Sequence, residues 1–230
     1  HLVAAGSCAS FVHDAASAYG AVYPWVTVTS EVLNNALAVQ ALSDGKADLA
    51  LLSWGSVDQR SQTLWMEPFA RDGVAVIVHP DSPFSEVSLV QLREIYRGRL
   101  QEREGLVLTV VSREDGSGTR AAFESAVLEG EGTTLNALVV PSSEAMVDSV
   151  ARTPTAIGYV STRRLDDRVR ALPVDGVPPT ERAIEDGDYA LWRELWLASS
   201  GEPTGEARQF AQWLLRGGGA AALDDRPEIP

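Results

Sequence analysis

Three observations predict an α/β fold. Apolar, strand-like runs alternate with segments of helical spacing along the chain. One strand-like run, Leu106 to Val111, passes through Gly116-Ser117-Gly118-Thr119 into a helix start, a strand–turn–helix junction. No internal repeat or low-complexity linker interrupts the alternation. With 230 residues, 45% hydrophobic and 22% charged, the chain reads as a soluble globular protein of one large or two small domains.

Each element has its own signal. Ala9 to Tyr19 reads as a helix with Phe11, Ala15, Ala18 and Tyr19 on one face and Gly20 as its stop. Val26 to Val28 reads as a short strand, and Val32 to Ser43 as a helix through Leu33, Leu37 and Ala41, stopped by Gly45. Ala47 to Leu52 and Val74 to Val78 are buried-strand candidates. Ser88 and Gln91 form a capping box ahead of Leu89, Leu92 and Ile95, with Gly98 as the stop. Ser143 to Ala151 reads as a helix, Ala156 to Val160 as a strand, and Leu172 to Pro179 as a short strand with a Pro-rich turn. Ala207, Phe210, Ala211 and Leu214 repeat with helical spacing from about Gly205 to Arg216, ahead of the Gly217 to Gly219 breaker. The acidic tail from Asp224 to Pro230 is expected to fray.

The junction at Ser112 to Arg120 carries the chemistry. Glycines let a backbone approach a ligand closely. The first N–H groups of a helix point outward, and its dipole favours negative charge there. Ser117 and Thr119 add hydroxyls, and Arg113 adds a guanidinium able to grip an oxyanion in a fork. The bland alternative is an ordinary helix cap that binds nothing. A P-loop is excluded because no Lys follows Gly118, and a nucleophile elbow because the order is Gly116-Ser117-Gly118. His1, His13 and His79 are the only histidines, and none has a triad-like context, so Ser117 lacks a base. With no paired carboxylates or metal cluster in a believable context, the chain is not expected to be an enzyme or to need a cofactor or metal.

A formal net charge of −13 argues against nucleic acid and anionic membranes as partners. It leaves room for a small anion, which responds to local N–H dipoles and a nearby Arg. Cys8 is the only cysteine, so no intramolecular disulfide and no cysteine-based metal cluster can form. No apolar run is long enough to span a membrane. The start, His1 to Gly6, lacks a basic n-region and a long apolar core, so it is not a complete signal peptide.

Six segments in order resemble the phosphate-binding proteins of ABC transporters, within the periplasmic-binding-protein superfamily (type II). They are Gly6 to Ala9, Ala41 to Ala50, Val76 to Pro80 with Leu89 to Gly98, Arg113 to Arg120, Ala156 to Ser161, and Asp188 to Thr204. The resemblance covers nearly the whole chain. It implies a two-lobed fold with a ligand cleft between the lobes. Residues 1–72 and 167–230 would form a discontinuous first lobe, and residues 73–166 the second. It implies a periplasmic or extracellular protein attached at the cell surface. This would be a monomer that delivers a small oxyanion, most readily phosphate, to the membrane permease of an ABC transporter.

By the same resemblance Arg113, Ser117, Gly118 and Thr119 hold the oxyanion, and Asp115 orients Arg113 and accepts a proton from the ligand. The first lobe contributes Ser7, Cys8, Ser30 and Ser53 but departs from the family. Cys8-Ala9 replaces a polar pair, and a thiol is a poor donor. Thr29 to Asn35 has no glycine; Ser30 can still cap, while Glu31 beside a dianion is unfavourable. Trp54 reads as cleft-wall packing, as a stacking surface for an organic ligand, or as a partner contact. These departures keep open an alternative: a sensor or receptor domain of the same fold with a changed ligand or none.

Overall fold

The computed structural model describes residues 1–53, 64–103 and 105–218. In chain order the elements begin with β1 (Leu2–Ala5), a 3-10 turn (Gly6–Cys8), α1 (Ala9–Val22), β2 (Ser30–Leu33), α2 (Asn35–Ser43), β3 (Leu49–Leu52) and β4 (Trp65–Val78). Next come α3 (Leu89–Tyr96), β5 (Glu102–Arg103), β6 (Leu106–Val107), β7 (Thr109–Arg113) and α4 (Gly118–Phe123), whose last turn widens to a π-turn over Glu124–Leu128. The remainder is β8 (Leu138–Val140), α5 (Ser143–Ala151), β9 (Ala156–Ser161), β10 (Arg170–Leu172), α6 (Glu181–Asp186), β11 (Trp192–Ser199) and α7 (Gly205–Trp213).

These elements fall into two compact units. The described part of the first comprises residues 1–53, 64–70 and 194–218; the second comprises 71–103 and 105–193. Strands β4 and β11 each contribute residues to both units.

In the first unit β1 lies between β2 and β3, parallel to both, and β3 pairs antiparallel with β11. β1 and β3 are short and wholly apolar because both of their faces are covered. Leu2, Ala4, Leu49, Leu51, Leu195 and Leu197 pack with Phe11, Ala15 and Tyr19 of α1 and Phe210, Ala211 and Leu214 near the chain's end. Helix α1 runs past Gly20 to Val22, its end closed by the Tyr23 N–H on Tyr19 O. A helical glycine costs only about 1 kcal/mol relative to Ala, which the buried Phe11–Tyr19 face outweighs.

The region after α1 differs from expectation. Val26 to Val28 form no strand; Ser30–Leu33 do, in register with Leu2–Ala5. The helix begins at Asn35 rather than Val32, because the Asn34 side chain accepts the Leu37 N–H at 2.9 Å.

In the second unit the sheet order is β10-β4-β9-β7-β8, with β9 antiparallel to β4 and β7 parallel to both β9 and β8. Alternate residues of β4 serve opposite faces. Val74, Val76 and Val78 meet Leu92, Ile95 and Tyr96 of α3 and Phe123 of α4, while Ala75 and Ile77 meet Met146, Val147 and Val150 of α5. The capping box of Ser88 and Gln91 is formed as the spacing predicts.

Residues 167–193, assigned to the first lobe from the sequence, pack within the second unit. β10 pairs with β4, and the Tyr189 hydroxyl donates to Val74 O at 3.0 Å. Arg193 forks onto Asp72 with Nε at 3.1 Å and Nη2 at 2.7 Å. Both side chains are fully buried, and the carboxylate also accepts from Ser161 Oγ at 2.8 Å. Removing one partner of such a pair leaves an uncompensated buried charge, which costs about 3–5 kcal/mol. The chain's return to the first unit therefore falls after Arg193, beyond this pair.

Candidate anion-binding site

The loop after β7 is built by its own residues. Gly116 sits at φ +83°, a conformation that favours glycine, and lets the chain turn sharply. The Ser117 N–H closes the turn on Glu114 O at 3.3 Å. Ser117 then caps α4, its Oγ accepting the Arg120 N–H at 3.3 Å. The N–H groups of Gly118 and Thr119 are the first two of the helix and have no acceptor within it. Ser117, Gly118 and Thr119 are all buried, so these donors sit where water competes weakly.

Behind the loop stands Tyr159 of β9. Its hydroxyl bonds Ser112 Oγ at 2.9 Å and accepts the Arg113 N–H at 3.3 Å. Its ring stacks on Phe123 of α4 at 4.1 Å. Burial pushes this phenol up to about 12. Strand end, helix start and neighbouring strand are thus locked together.

The Arg113 side chain is 7% exposed. Its Nε donates to Glu114 Oε2 at 2.8 Å, its Nη2 to Glu114 Oε1 at 2.9 Å, and its Nη1 to Ser143 Oγ at 3.0 Å. A guanidinium has five N–H donors, so these three bonds leave two, one on each terminal nitrogen. Those two donors lie on the same loop as the open N–H groups of Gly118 and Thr119. Together they are charge-assisted and helix-start donors of the kind that bind oxyanions.

Asp115 does not orient Arg113. Its side chain is 96% exposed and binds Arg120 Nη1 at 2.6 Å. Arg120 in turn donates to Arg113 O at 3.0 Å and Glu124 Oε1 at 2.8 Å, so it ties the loop to α4. The adjacent Glu114 takes the place expected of Asp115. Its backbone is pinned on both sides, with N–H on Val140 O and O on Ser117 N–H, and this turns its side chain toward Arg113.

In the first unit the candidates scatter. Ser7 is buried in the turn that follows the C-terminal end of β1. Ser53 is buried at the same end of β3. Cys8 is fully buried in the apolar cluster with Phe11 and Ala4, so its thiol serves the core. Ser30 caps no helix; it is exposed and pairs with Leu2, at the opposite end of the parallel strands from Ser7. Three residues of strand, roughly 10 Å, separate those ends. Glu31 stands opposite Val3 with its side chain 59% exposed. Trp54 lies outside the described residues, as does the tail from Asp224.

Four residues that the sequence motifs did not single out belong to these surroundings. Glu114 and Ser143 hold Arg113, and Tyr159 holds the backbone beneath it. Asn35 opens α2 and is buried; its Oδ1 accepts from Ser53 N–H at 3.1 Å and Ser53 Oγ at 3.4 Å. The Nδ2 of Asn35 is buried with no hydrogen-bond partner, a polar group left for something else to satisfy. The Asn34-Asn35 pair ahead of an apolar run was a helix-start signal that could have exposed it.

Comparison with known proteins places the chain in a family. The chain is 34% identical to the phosphate-binding protein PstS of Bacillus subtilis over 148 residues, 62% of this chain and 49% of that one. It spans about half the length of the curated relatives it matches first. Among solved structures it is similar to a phosphate ABC transporter substrate-binding protein of Clostridium perfringens with bound phosphate, at TM-score 0.90 and 27% identity, covering 96% of this chain and 94% of that one. An ABC-type phosphate transport receptor of Vibrio cholerae matches at TM-score 0.79 and 25% identity, over 96% of each chain. The model of the PBP superfamily domain matches residues 1–217, and the chain belongs to the PBP superfamily.

Proposed function

We propose that this chain is an extracytoplasmic solute-binding protein for phosphate that acts as a monomer and feeds the membrane permease of an ABC transporter. The observation that carries the proposal is the second-unit loop. Arg113 is buried with two N–H donors to spare, beside a helix start whose first N–H groups and Ser117 and Thr119 hydroxyls are available to a tetrahedral oxyanion. The similarity to phosphate-binding relatives supports the same ligand. It also supports a binding protein rather than an enzyme. Arg113, Ser117, Gly118 and Thr119 are the principal ligand contacts in this proposal. Ser7, Ser53 and Asn35 stand where α/β sheets carry ligand donors, at the C-terminal ends of strands, and are proposed as anion donors of the first unit.

A thermal-shift panel tests the proposal. At a hundredfold excess over Kd, a ligand stabilises by about 2.7 kcal/mol. For a chain of this size that is a rise in Tm of roughly 5–10 °C. Phosphate and arsenate are expected to give it, and sulfate and small carboxylates far less. No shift with millimolar phosphate, together with a shift for an organic anion, would establish the sensor alternative instead.

A further inference from the structure

We infer that Glu114 is the positioning residue of the anion site: its carboxylate, rather than that of Asp115, sets the Arg113 fork and determines which two N–H donors a ligand meets. The inference rests on the phosphate-binding proposal for its ligand but on the loop's own geometry for its mechanism. Two carboxylates follow Arg113 directly, and the structure divides their work. Glu114 occupies the Nε–Nη2 edge of Arg113 with both oxygens, at 2.8 and 2.9 Å. Asp115 points to solvent and binds Arg120.

The division follows from the backbone. The Glu114 backbone is held between Val140 O and the Ser117 N–H, and its carboxylate meets Arg113 with both oxygens. Asp115 lies one residue nearer the Gly116 turn and faces out. The fork is therefore pre-organised, which lowers the entropy lost on binding. Glu114 also neutralises Arg113 locally. An oxyanion then gains from the remaining donors and the helix start, without a free guanidinium charge beneath it.

The test compares the unaltered chain with Glu114→Gln, Glu114→Asp and Asp115→Asn. Two readouts are taken, each after thermal unfolding has established that the variant folds. In the ligand-free protein, the Arg113 Nε–H resonance reports whether the guanidinium is held. It is expected to be protected in the unaltered chain and in Asp115→Asn, lost in Glu114→Gln, and partly recovered in Glu114→Asp. In calorimetry, Glu114→Gln is expected to weaken phosphate at least tenfold, with Asp115→Asn the smaller loss. A protected Arg113 signal in folded Glu114→Gln overturns the inference, as does a greater loss of affinity in Asp115→Asn. If the unaltered chain binds no phosphate, the ligand proposal fails, and the ligand-free resonance still decides for or against Glu114.

Discussion

The two units carry their proposed anion donors in different ways. The second unit uses a glycine turn, a capped helix and a buried guanidinium held by Glu114, Ser143 and Tyr159. The first unit uses the ends of parallel strands, where Ser7, Asn35 and Ser53 offer hydroxyls and one unsatisfied amide. The Arg113 guanidinium, paired with Glu114, and a helix start offer charge-assisted and dipole-backed donors, whereas hydroxyls and amides offer neutral hydrogen bonds. Under the proposed function, the charged donor lies in the second unit and the first unit offers only neutral ones.

Substitutions can break that comparison, beginning with the largest effect. Arg113→Ala removes the charge and leaves Glu114 unpaired, and is expected to cost about 3 kcal/mol of phosphate binding, roughly a hundredfold, by calorimetry. Asn35→Ala is expected to cost nearer 1 kcal/mol, the scale of one neutral hydrogen bond. Equal losses at the two positions would contradict the asymmetry. Ser117→Ala should lower stability by about 1 kcal/mol through its cap, read by denaturant unfolding, as well as weaken phosphate. Ser30→Ala, on the far end of β2, is expected to leave phosphate affinity unaltered within error.

The foundation beneath the loop can be probed by pH. Burial raises the folded pKa of Tyr159 to about 12, above the ordinary phenol value of 10.0. Between these values the native state keeps a proton that the unfolded state has lost. Stability from this group is therefore complete below pH 10 and declines as pH rises toward 12. Denaturant midpoints measured across that window should fall, and Tyr159→Phe should flatten the decline. Tyr96 and Tyr189, also raised by burial, preserve the rest of it.

The same contrast governs how much was legible in the sequence. The loop Arg113 to Arg120 could be read because its chemistry is local: a glycine turn, a cap and a helix start follow one another in the chain. The capping box at Ser88 and helix α5 were legible for the same reason. What failed was non-local or ambiguous over short runs. β2 was mistaken for part of a helix because Val32, Leu33 and Leu37 satisfy helical spacing, while pairing to β1 decided otherwise. Strand β11 and the short strand β8 owe their form to sheet neighbours. Choosing between Glu114 and Asp115 needed the hydrogen bond to Val140, twenty-six residues away by 140 − 114. Asn35 acquires meaning only beside Ser53, which lies on a different strand end.

The most direct measurement follows the backbone amides of Gly118 and Thr119 by nitrogen-15 NMR while phosphate is added to the unaltered chain. If the loop holds the oxyanion, both resonances shift and saturate together, at the affinity that calorimetry gives. Phosphate binding that leaves these two amides unmoved would contradict the account.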